Sequence, residues 1–67
     1  MSLSRAEFHE QHLFSAQTEA QQLFAQKAVR QGDWLSWVAS QIYQMRPAEY
    51  ASMVRRELQR LQEAGEH

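Results

Sequence analysis

Apolar positions recur at helical spacing along almost the whole chain. Placed at about 100° per residue, Ala6, Leu13, Ala16, Ala20, Leu23, Phe24 and Ala28 fall on one stripe, whose alanines let another helix approach closely. A weaker line, Phe14, Ala25 and Val29, lies roughly a third of a turn away. A second stripe holds Leu35, Val38, Ala39, Ile42 and Met45, and a third holds Tyr50, Met53, Val54, Leu58 and Leu61. Thr18, Val29, Val38, Ile42 and Val54 are the β-branched residues, too few to build a sheet. The pattern predicts an all-α protein.

Local signals place the ends of the helices. Ser4 with Glu7 forms a capping box, and Leu3 with Phe8 occupies the two positions of a hydrophobic staple. Helix 1 is therefore expected from about Arg5 to Arg30, with Gly32 as the residue that stops it. Asp33 is suited to cap helix 2, expected from Trp34 to about Met45. Pro47 pushes Arg46 out of helical geometry and is a favoured first helical residue, so helix 3 is expected from Pro47 to about Ala64. The result is a single helical domain over residues 1–67 with one long helix and two shorter ones.

Length and composition sharpen this picture. A chain of 67 residues buries only roughly 60% of its unfolded surface and leaves a marginal core. With no cysteine, neither disulfides nor thiolate zinc sites can reinforce it. Self-association is the remaining addition, and a helical homodimer is expected. The formal charge of −1 counts against a protein that lives on phosphate contacts. No apolar run approaches the ~20 residues of a membrane span, and the opening stretch has no apolar signal core. A cytoplasmic protein is expected.

The candidate chemistry is thin. His9 and His12, with Glu10 between them, sit one residue short of the i, i+4 spacing that brings two imidazoles onto zinc, and read as a solvated polar face. His67 is terminal. The serines at 2, 4, 36, 40 and 52 suit caps or exposed helix positions, and none lies in a nucleophile elbow. So short a helical chain also leaves little room for a pocket of several hundred cubic ångströms. The sequence predicts no enzyme, no cofactor, no metal and no small-molecule substrate.

What remains is surface. Trp34, Trp37, Gln41 and Tyr43, with Arg55, Arg56 and Arg60 on helix 3, are mostly residue types that dominate interface energetics. They form the expected contact with a protein partner, Trp37 lying nearly opposite Leu35; the alternative is that helix 2 packs in a crowded corner and buries both tryptophans internally. Phe14, Ala25 and Val29 are the expected dimer contact. The alternative is a small DNA-binding regulator that uses helix 3, although Glu49 in its N-terminal half repels phosphate.

The stretch Ile42-Tyr43-Gln44-Met45-Arg46-Pro47-Ala48-Glu49-Tyr50, followed by Val54-Arg55-Arg56, resembles a pattern in short helical regulatory and adaptor proteins encoded by bacteriophages and mobile elements. The likeness covers about a third of the chain. It implies a small dimeric regulator or inhibitor that binds and restrains a bacterial host protein, as quorum-sensing anti-activators do. It transfers no functional residue.

Overall fold

The computed structural model describes residues 4–65. Among these the elements are all helical: α1 (Arg5–Ala25), α2 (Lys27–Arg30), a 3-10 turn (Gln31–Asp33), α3 (Trp34–Tyr43) and α4 (Ala48–Gly65). The expected count of three helices is corrected. Two long helices, α1 and α4, make the body, and the shorter pieces form the return between them.

The start of α1 follows its local code. Ser4 Oγ accepts from the Glu7 N–H at 3.1 Å, while Glu7 Oε1 accepts from the Ser4 N–H at 3.4 Å. Leu3, the other half of the expected staple, lies outside the described residues, as do Ser2 and His67.

The expected continuous helix from Arg5 to Arg30 breaks at Gln26. In an uninterrupted helix the Leu23 carbonyl accepts from Lys27. Here it accepts instead from the Gln26 N–H at 3.2 Å and from the Trp34 indole Nε1–H at 2.8 Å. A distant side chain has taken the place of the next helical turn, and α2 restarts with its own bonds to the Gln26 carbonyl.

The corner is also built differently. Gly32 does not adopt positive φ; the left-handed position is Gln31, at φ 50 and ψ −115. Asp33 makes no capping hydrogen bond and lies 3.5 Å from Arg30 in an ion pair. The carboxylate is drawn to the guanidinium at i−3 rather than to the helix it precedes.

α3 stops at Tyr43, two residues short of the expected Met45. The Arg46 guanidinium donates from Nη1 to the carbonyls of Tyr43 and Met45, each at 2.9 Å, satisfying groups that the helix end leaves free. α4 starts at Ala48 rather than Pro47, whose carbonyl accepts the first helical bonds from Tyr50 and Ala51.

α4 advances along α1 in the same direction. Near its start, Tyr50 meets His12 and Glu19; at its end, Gly65 approaches the Phe24 ring. Ala16, Ala20 and Leu23 face Met53, Val54 and Leu58 in one core cluster, capped at the corner by Trp34 and Val38. Phe8, Leu13, Phe24, Ile42, Met45 and Leu61 pack partly buried around it. Ala6 and Ala28, expected on the inner stripe, are exposed: Ala6 lines the open groove between the first turns of α1 and α4, and Ala28 lies in α2, past the break at Gln26.

Candidate interaction surface

α3 carries apolar residues on more than one side, so the side it buries decides what it offers to solvent. The buried side is set by Trp34, which is 1% exposed. Its ring stands edge-on to Phe24, with centroids 6.2 Å apart, and the Lys27 ammonium lies over it at 5.4 Å. Together with the indole bond to Leu23 this leaves Trp34 nothing to offer a partner. The expectation that Trp34 belongs to a partner-binding surface is corrected.

The remainder of that expected surface is dispersed. Trp37 is half-buried against the core, with the Arg30 guanidinium stacked 4.2 Å from its ring centre. Gln41 is half-buried beside it on the same side of α3. Arg55, Arg56 and Arg60 are exposed on α4. Arg60 lies 3.6 Å from Glu57, a carboxylate that the helix holds largely buried. Glu49 and Glu63 share the outward side of α4 with Arg56 and Arg60, so that face is of mixed charge rather than basic.

Burying Trp34 and Val38 turns Leu35 and Ala39 outward, although both were expected in the core stripe. Leu35 is 68% exposed, and Tyr43, two turns further along the same side, is 81% exposed. Ser36, Ala39 and Ser40 lie between them and are also exposed. No charged residue occurs from Trp34 to Met45, so this outward face is uncharged, with Leu35, Ala39 and Tyr43 beside the polar Ser36, Ser40 and Gln44. The uncharged run was the signal in the sequence that could have located it.

The residues expected as the dimer contact are split by the break at Gln26: Phe14 and Ala25 lie on α1 and Val29 on α2, all exposed, Phe14 at 80% and Val29 at 75%. Phe14 borders a shallow depression of ≈220 Å³ with Ser15, Thr18, Glu19, Gln22 and Tyr50. Glu19 Oε2 accepts a 2.6 Å hydrogen bond from the Tyr50 hydroxyl. Burial, that bond and the Glu19 charge push the Tyr50 phenol up to about 12, opposed by a bond with Ser15. His12 departs from the expected solvated face: it is half-buried, 4.4 Å from the Phe8 ring and 5.9 Å from the Tyr50 ring.

An open groove of ≈1050 Å³ runs between the first turns of α1 and α4, lined by residues including Phe8, His9, Glu49, Met53 and Arg56. Among the described residues no cluster of three His, Cys, Asp or Glu side chains is placed to hold a metal, and no helix is long and apolar enough to cross a membrane.

Fold and surface together define a small all-helical protein with outward apolar faces on α1 and α3. Compared with protein-family models, curated proteins and solved structures, the chain finds no match.

Proposed function

We propose that this chain is a protein-interaction module, a small non-catalytic regulator or inhibitor that acts in the bacterial cytoplasm by occupying the surface of another protein, and does so as a homodimer. The supporting observation is that four large apolar side chains, Phe14, Val29, Leu35 and Tyr43, stand 68–81% exposed on outward helix faces. Leu35 and Tyr43 share one face of α3, and large exposed apolar groups gathered on a surface mark contact sites.

The two faces suit different occupants. Phe14 is a single apolar anchor among Ser15, Thr18, Glu19 and Gln22, the apolar-centre and polar-rim arrangement of reversible interfaces. The uncharged face of α3 has the composition of more permanent contacts, which are more hydrophobic. The partner is therefore assigned to α1 and the second copy to α3, the reverse of the expectation from sequence.

Affinity capture from a bacterial extract, followed by reconstitution from purified components, tests the reading. A saturable complex that weakens tenfold or more (~1.4 kcal/mol) in Phe14→Ser, with unchanged circular dichroism, is expected. A complex indifferent to Phe14→Ser and Val29→Ser, or no saturable complex, contradicts it. Duplex DNA is the less supported partner, because α4 interleaves Glu49 and Glu63 with its arginines. That alternative requires binding that falls steeply with salt and with loss of Arg55 and Arg56.

A further inference from the structure

The spacing of the α3 face is symmetric about its centre. Leu35 and Tyr43 each stand four residues from Ala39, so the two large groups lie roughly 6 Å along the helix on either side of one small one. Ser36 and Ser40 lie along one side of that midpoint, and Gln44 Nε2 donates to Ser40 Oγ at 3.4 Å while Ala39 stays exposed. We infer that α3 pairs with α3 of a second copy of this chain, antiparallel, about a two-fold axis at Ala39. This inference rests on reading the chain as an interaction module.

Two observations select a second copy over other occupants. First, an antiparallel pair centred on Ala39 sets Leu35 against the partner's Tyr43 and Tyr43 against the partner's Leu35, so the pattern is its own complement, as an isologous interface requires. Alanine at the axis lets the helices approach closely.

Second, the face bears no charge from Trp34 to Met45. Superposing two identical faces therefore brings no like charges together, whereas a face built for a different protein commonly uses charge to select it.

Charge placed at the axis tests this arrangement. Ala39 is exposed, and Glu and Lys are good helix formers, so Ala39→Glu and Ala39→Lys keep the monomer fold. Sedimentation equilibrium of the full chain should show a wild-type dimer, and in each variant alone dimerisation weakened roughly a hundredfold by two like charges facing across the axis. Mixing the two variants should restore a one-to-one dimer, which fits a site where residue 39 meets residue 39. A monomeric wild type, an Ala39→Glu variant that dimerises as the wild type does, or a mixture that stays monomeric would overturn the proposal. The reconstituted partner complex of the Phe14 test is read separately: its persistence with monomeric wild type would defeat this inference and the homodimer, and leave the partner-binding reading standing.

Discussion

Tyr50 and Tyr43 are the two tyrosines of this chain, and they lead opposite lives. Tyr50 is half-buried between α4 and α1, with its hydroxyl held by Glu19 and its ring beside His12. Tyr43 is 81% exposed on α3. The same contrast divides Trp34 from Leu35, adjacent in sequence but 1% and 68% exposed. A buried aromatic with a polar atom needs a partner for it, and both inward aromatics have one. The outward residues are large and apolar and make no such internal commitment. In a chain with so small a core, apolar area left outside is the feature that most needs an explanation.

The widest separation between the two sets comes from Trp34→Ala. Loss of a buried tryptophan costs about 3–5 kcal/mol, a large share of the stability of so small a chain, and urea denaturation should show a largely unfolded protein. Trp34→Phe is milder. It keeps the ring but frees the Leu23 carbonyl, with an expected cost of about 1 kcal/mol. Amide exchange should then show Lys27 newly protected as α1 extends through Gln26.

Tyr50→Phe removes the bond to Glu19 and should cost about 1 kcal/mol by the same assay. Its pH signature is more specific. The phenol is raised from 10.0 to about 12 in the fold, so between these values the unfolded chain has lost a proton that the folded chain retains. Stability associated with Tyr50 is therefore fully present below pH 10 and falls as pH rises towards 12. Tyr50→Phe should abolish that fall, and Tyr43→Phe should leave it in place.

These contrasts also explain what could be read from the sequence. The capping box at Ser4 and Glu7 was legible because it depends on residues three apart. The inward stripe through Ala16, Ala20 and Leu23 was legible because α1 is long enough for one periodicity to dominate. α3 is different. Within ten residues it carries Trp34, Leu35, Trp37, Val38, Ile42 and Tyr43, which satisfy two helical stripes equally well. The choice between them is made by the indole reaching back to Leu23, a contact eleven residues away in sequence. That same bond interrupts α1, so one long-range interaction accounts for the misplaced face and for the break at Gln26. The corner failed for another reason: glycine is the usual left-handed residue, yet Gln31 holds that position and Gly32 does not.

Gln31→Gly is consequently a smaller but diagnostic change. Relieving a side chain at φ 50 should stabilise the fold by about 0.5–1 kcal/mol, measured as a higher urea midpoint. An equivalent loss would mean that the corner is not strained there.

Smallest on the folded monomer should be Leu35→Ser with Tyr43→Ser. Exposed substitutions away from the core usually lie within about 0.5 kcal/mol, although this pair removes the largest side chains from α3's outward face.

The dependence of the urea midpoint on protein concentration, wild type beside this double variant, tests most directly whether α3's outward face is an interface. A dimer is stabilised by mass action, so the wild-type midpoint should rise with concentration while that of Leu35→Ser/Tyr43→Ser stays fixed. A wild-type midpoint that does not move, or a double variant that rises in parallel with it, would contradict the account.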